Sequence, residues 1–206
     1  FLGWSFQLPE TGPAGQSNAR LIPMDDSGYW YEVHNAVGLS PAALLRTSHA
    51  ALGLGPGTTF RLTKVQQDAL GMKHYRFQQY HDGIKVAGAQ LLVHTRGGAP
   101  TMLNGKWAKG LGHQPVSAVL TEPQAVRAAL RAVPAQRYSW ESWGAERMLK
   151  RITGNPDTSF YPQPELVWAW HGLSKGLSSP RLSYRMTIQA QQPQMREGVY
   201  LDAYSG

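Results

Sequence analysis

Between residues 58 and 108, apolar and polar positions alternate in runs broken by turn residues, the signature of half-buried strands. In HYRFQQYH (74–81), Tyr75 and Phe77 point one way while His74, Arg76 and Gln78 point the other. Asp82-Gly83 follows, the dipeptide that most readily supplies positive φ for a tight hairpin turn. The run IKVAGAQLLVHT then carries apolar residues at Ile84, Val86, Leu92 and Val93. With TTFRLTKVQ before the hairpin and TMLNGKWA after the RGGAP turn, the segment predicts an antiparallel meander. A helix precedes it. Ser40 is a natural N-cap and Pro41 suits the first helical position; Ala43, Leu44, Ala51 and Leu52 supply contacts and Gly53 an end.

The same order recurs in the second half. KGLGHQPVS (109–117) has the composition of a linker. Thr121 and Gln124 then form a capping-box pair, and Val126, Ala129, Leu130 and Val133 fall at helical spacing. A further helix is predicted in SWESWGAERMLKR (139–151). Strands follow in ELVWAWHGL (165–173), LSYRMTIQA (182–190) and EGVYLDAYSG (197–206). The pattern is α+β, read as two small domains, 41–112 and 113–206, each a helix packed on an antiparallel meander. Residues 1–40 are read as an N-terminal extension. Within them PETGPAGQSN (9–18) is an exposed turn, and GYWYEVHNAV (28–37) a strand with Trp30, Glu32 and His34 opposite Tyr31, Val33 and Asn35.

Composition narrows the partners. A 42% hydrophobic share beside 16% charged residues describes a folded globular chain. No stretch reaches the roughly 18 apolar residues of a membrane helix, and FLGWSFQLPE lacks the features of an intact signal peptide. Without cysteine there is no disulfide, thiolate metal site or thiol nucleophile. The net charge of +7 is dispersed, and no nucleic-acid motif accompanies its densest groups, KHYR (73–76) and ERMLKR (146–151). General solvation, or attraction to one acidic protein partner, fits better than nucleic acid.

Catalytic motifs are missing. No histidine lies in a helical two-histidine zinc motif. His74, His81 and His94 can meet a metal only if the fold gathers them, and the lack of ligand spacing favours exposed strand-end histidines. No G-x-S-x-G elbow is present, and GLGPG (53–57) lacks the lysine of a phosphate loop. Glu32, Glu141, Glu146 and Glu165 show no informative spacing. Trp168 and Trp170 share one strand face, and Trp140 and Trp143 are expected on one helix face, in core packing rather than on a sugar platform. Neither an enzyme nor a cofactor is expected.

The run from His74 to Thr95 resembles the hairpin of the fungalysin/thermolysin propeptide domain, with Tyr75, Arg76, Gln79, Gly83, Val86 and Gly88 at matching positions. The Asn104-Gly105 ending of the next strand is similar to the family's as well. The second half resembles a PepSY domain, the usual companion in such pro-regions, and Asp202, Ala203 and Gly206 match its closing pattern. The resemblance implies a pro-region, cut away or produced separately, that assists folding of its cognate zinc metallopeptidase domain and then occludes the cleft. It also implies a secreted or periplasmic location, a leader already removed, and no catalysis by this chain. Arg76, Gln78 and Tyr80 on one hairpin face, and Asp202, Tyr204, Ser205 and Gly206 at the end, are the expected protease contacts. Deleting residues 201–206 is then expected to weaken inhibition far more than folding. A stand-alone inhibitory module acting in trans is the alternative, and an enzyme with a dispersed carboxylate or histidine site a more distant one.

Overall fold

The computed structural model describes residues 18–112, 116–170 and 180–206. The 9–18 turn, apart from Asn18, and the end of the 165–173 run lie outside the described residues. In chain order the elements are β1 (Arg20–Pro23), β2 (Trp30–His34), α1 (Pro41–Thr47), β3 (Thr58–Gln67), β4 (Lys73–His81), β5 (Ile84–Arg96) and β6 (Ala99–Lys106). There follow α2 (Glu122–Ala132), β7 (Arg137–Tyr138), a 3₁₀ turn (Ser139–Glu141), α3 (Trp143–Thr153), β8 (Glu165–Ala169), β9 (Arg181–Gln192) and β10 (Gln194–Asp202). The fold is α+β, with one mostly antiparallel sheet running through it.

Local chemistry explains the helices. The Ser40 hydroxyl accepts the Ala43 N–H at 3.2 Å, and α1 ends well before Gly53, which closes the irregular turns after it at a φ of 66°. At α2 the Gln124 side chain reaches back to the Thr121 N–H at 2.7 Å. Ser142 caps α3, and Gly154, at a φ of 65°, ends it. Trp140 and Trp143 do not share a helix face. Trp140 belongs to the 3₁₀ turn, where it stacks on Tyr138 with centroids 4.4 Å apart. Trp143 opens α3 and is 74% exposed, because Ser142 starts the helix only after Trp140.

The sheet runs β1-β2-β6-β5-β8-β9-β10, with β4 also on β5, β3 on β4 and β7 on β9. Residues 20–34, read as part of an extension, thus form two strands of the sheet through the β2–β6 pairing. In β2, Tyr31 and Val33 are buried while Trp30, Glu32 and His34 are exposed, as the alternation predicts.

Two hydrophobic clusters share this sheet. One gathers Leu44 and Leu45 of α1 with Tyr31, Val33, Phe77, Leu91, Val93, Leu103 and Trp107. The other gathers Ala125, Val126 and Ala129 of α2 with Val86, Ala89, Trp168, Leu182, Met186, Ile188 and Ala203. β5 belongs to both. It changes cluster between Ala89 and Leu91, just past an irregularity in its pairing with β4.

Candidate functional site: the hairpin and the closing turn

The β4–β5 hairpin is built on a backbone turn that few residues adopt. Asp82 and Gly83 both have positive φ, 46° and 79°, the pattern of a type I′ turn whose twist matches that of its strands. Register then slips. Tyr80 pairs with Lys85, but Gln78 pairs with Gln90, so β5 holds three more residues than β4 over this span. Gly88, at a φ of 71°, lets the longer strand bulge. The odd step inverts the parity of the buried positions of β5: Val86 is buried before it and Ala89, Leu91 and Val93 after it, Ala89 still in Val86's cluster and Leu91 and Val93 in the other.

A bulge leaves carbonyls without ladder partners, and Gln78 supplies them, while the adjacent Gln79 holds the segment after β6. The Gln78 amide nitrogen lies 2.7 Å from the Val86 carbonyl, 2.9 Å from that of Ala89 and 3.0 Å from that of Gln79, so its two protons serve three acceptors. Gln79 donates to the Ala108 carbonyl at 2.9 Å and accepts the Ala108 N–H at 2.8 Å. Both side chains are buried. This corrects the expectation for Gln78. It is no surface contact, because its amide is consumed in closing the bulge.

The remaining hairpin residues lie where partial exposure allows contact. Arg76 is half-buried and donates to the Gln90 carbonyl oxygen Oε1 at 3.0 Å. Tyr80 is half-buried beneath the Arg61 guanidinium, 4.1 Å from the ring centroid. Tyr75 packs against the first cluster. Gly105 sits where β6 crosses close to β5: a Cβ there would lie 2.2 Å from the Gln90 carbonyl oxygen, so only glycine fits. The Asn104 side-chain oxygen Oδ1 lies 3.1 Å from His94 Nε2.

The three histidines part company. His74 and His94 are cross-strand neighbours, Nδ1 to Nδ1 at 2.5 Å, and His74 Nε2 lies 3.2 Å from Asp68. His81 is elsewhere, fully buried against Trp168 with ring centroids 5.7 Å apart and Nε2 3.0 Å from the Gly112 carbonyl. It is therefore not an exposed strand-end residue, since the second cluster closes over it. Among the described residues no three histidine, aspartate or glutamate side chains are placed to hold a metal. Desolvation would raise the Asp68 carboxyl, but the Met72 N–H, the His74 ring and the Leu70 N–H together hold it below its ordinary value.

The chain closes in a turn organised by Asp202. Its Oδ1 accepts the N–H groups of Tyr204 and Ser205 at 2.9 and 3.0 Å, and Arg181 lies 3.5 Å from Oδ2. Ala203 is fully buried: its N–H donates to the Leu182 carbonyl, and its own carbonyl accepts from Val119 and Leu120. Asp202 thus acts first as a turn former, while Tyr204, Ser205 and Gly206 are exposed. Ser205 and Gly206 lie beside Leu120, Gln124 and Arg127 at α2, so the two sets of expected contacts occupy different halves of the sheet. A deletion from residue 201 would also remove Ala203, and cannot separate inhibition from folding.

Desolvation would raise the Asp202 carboxyl, but the N–H groups of Tyr204 and Ser205, the Ser205 hydroxyl and Arg181 outweigh it and lower its pKa. A depressed carboxyl contributes stability above its unfolded value, about 4, and loses that contribution as pH falls through the lower folded value. Asp202→Asn is therefore expected to lower stability at pH 7 by about 1–3 kcal/mol. Urea unfolding of both proteins should show the difference shrinking below about pH 4. A gap that stays constant down to pH 2 would contradict the assignment.

Comparison with known families agrees with the hairpin. Residues 58–106 match the Fungalysin/Thermolysin Propeptide Motif, bounds that coincide with the first residue of β3 and the last of β6. The match is to a propeptide motif and not to a catalytic domain. No curated protein matches the chain.

Proposed function

We propose that this chain is the pro-region of a thermolysin-like zinc metallopeptidase, serving as intramolecular chaperone and inhibitor of its catalytic domain. The observation that carries this reading is the family match over 58–106, which takes in the complete β3–β6 meander and the glutamine-closed bulge within it. The second half, with α2 against β8–β10, is read as the PepSY-like companion, and residues 20–34 as part of the first unit's sheet. A secreted or periplasmic location goes with the same reading.

The chemistry asked of the chain is modest. A partner that binds only the folded catalytic domain shifts its folding equilibrium by mass action, and inhibition needs a complementary surface rather than a reactive group. Arg76, Tyr80 and the exposed Tyr204, Ser205 and Gly206 are the proposed contacts, with Gln78 withdrawn. The net charge of +7 favours a partner with an acidic face and an association rate that falls as salt rises.

Refolding tests the chaperone half. Denatured catalytic domain of the peptidase encoded with this chain, diluted into buffer with equimolar chain, is expected to regain at least about tenfold more activity, after proteolytic removal of the chain, than without it. Equal recovery in both would reject the chaperone role. Tyr204→Ala, which leaves the Ala203 anchor intact, replaces the 201–206 deletion as the probe of the tail.

A further inference from the structure

His74 and His94 meet on the sheet face turned away from α1. They are direct cross-strand partners on β4 and β5, while their neighbours Tyr75 and Val93 pack with the first cluster on the other face. Both rings are half-buried. Each has its outer nitrogen held by an oxygen. His74 Nε2 lies 3.2 Å from Asp68 Oδ2, and His94 Nε2 lies 3.1 Å from Asn104 Oδ1. Asp68 is itself fixed, since its Oδ1 accepts the N–H groups of Leu70 and Met72, both at 2.9 Å.

These oxygens decide where the ring protons sit. A carboxylate oxygen or an amide oxygen only accepts, so each Nε2 carries its hydrogen. The two Nδ1 atoms then face each other as lone-pair donors, 2.5 Å apart. Bare lone pairs repel at that separation, and a positive centre must join them: a shared proton or a metal ion. A ligating histidine ordinarily gives its far N–H to a carboxylate or carbonyl, which fixes both tautomer and ring orientation. Here the protein alone holds both rings in that way. Imidazole nitrogen suits Zn²⁺, Ni²⁺ and Cu²⁺, whereas Mg²⁺ and Ca²⁺ take oxygen ligands. Two metal–nitrogen bonds of about 2.0–2.1 Å, meeting at about 90–110°, need the nitrogens about 2.9–3.4 Å apart, so the rings separate by less than about 1 Å. The Asp68 carboxylate offsets the charge of the ion, and the Arg76 guanidinium, two residues along β4, is engaged by Gln90 Oε1 at 3.0 Å. No third histidine, aspartate or glutamate is placed to join the pair among the described residues, so water completes the coordination.

We propose that His74 and His94 bind one divalent transition-metal ion through their Nδ1 atoms, with Asp68 and Asn104 orienting the two rings. The site is independent of the pro-region reading and stands or falls without it.

The test titrates the full chain with Zn²⁺, with Mg²⁺ as control, followed by histidine ring signals in nuclear magnetic resonance and by calorimetry. The first equivalent of Zn²⁺ is expected to move the ring signals of His74 and His94 together, ahead of every other histidine, and Mg²⁺ to move neither. His74→Gln should weaken the response at His94 by at least about tenfold, and His94→Gln that at His74 by as much. Asp68→Asn keeps an oxygen for the Leu70 and Met72 N–H groups but presents an amide N–H₂ to His74, and should weaken Zn²⁺ binding about tenfold. Circular dichroism checks that each variant is folded. No response of either ring at millimolar Zn²⁺, a response confined to other histidines, Mg²⁺ as effective as Zn²⁺, or unchanged affinity in a folded His74→Gln or His94→Gln protein would each overturn the site. Unchanged affinity in Asp68→Asn would overturn the orienting role of Asp68.

Discussion

Replacing Trp168 with alanine is expected to lower the free energy of unfolding by about 3–5 kcal/mol, the cost of emptying a large aromatic site in a packed core. Trp168 is fully buried at the one register position where β8 meets β5, opposite Val86. Its indole N–H donates to the His81 carbonyl at 3.1 Å, so the substitution opens a void and removes a buried hydrogen bond together. The β5–β8 pairing connects β1-β2-β6-β5 to β8-β9-β10 within the sheet, and its loss should broaden or split the urea transition. Trp143→Ala is the control. At 74% exposure it should change stability by no more than about 0.5 kcal/mol. A Trp168→Ala protein that unfolds like wild type, in one transition, would refute the junction as described.

The second large effect is expected at Gln79. Leucine is close to glutamine in size but can neither donate nor accept, so Gln79→Leu leaves both the N–H and the C=O of Ala108 unpaired inside the protein. With about 1–3 kcal/mol for each of the two stranded groups, the loss should be about 2–6 kcal/mol. Hydrogen exchange gives a local readout, because the Ala108 amide should lose protection beyond what the global destabilisation explains. Unchanged protection there would show that the glutamine does not hold the segment after β6. Ala108 and Leu111 lie in the second cluster while Trp107 lies in the first, so this bond fixes the chain where it crosses between them.

How far the residues alone lead can be read from these positions. The alternation of Tyr31 and Val33, the Ser40 cap, the Asp82-Gly83 turn and the Thr121–Gln124 pair all act within a few residues, and local pattern reveals them. What escapes it depends on distant partners. Gln78 has the same polarity and strand parity as Arg76, and nothing nearby says that its amide will be drawn into a bulge made by residues 86–89. Equally, the parity change in β5 hides inside a run that reads as one strand, with Gly88 its single visible sign.

The same logic covers the rest. Nothing local ties β2 to the last strand of the meander, yet Trp30 and Asn104 are direct partners. The burial of His81 depends on Trp168, 87 residues away. The expected contacts at Arg76, Tyr80 and Tyr204 stand on resemblance and exposure together, and binding experiments must assign them.

The most direct test of the central reading is inhibition of the purified peptidase encoded with this chain, by the isolated 206-residue protein, titrated at several salt concentrations. The pro-region reading predicts tight, stoichiometric inhibition without cleavage of the inhibitor during the assay, weakening as salt rises. No binding to that enzyme at micromolar concentration, with the chain folded, would contradict it and leave the meander with a different partner.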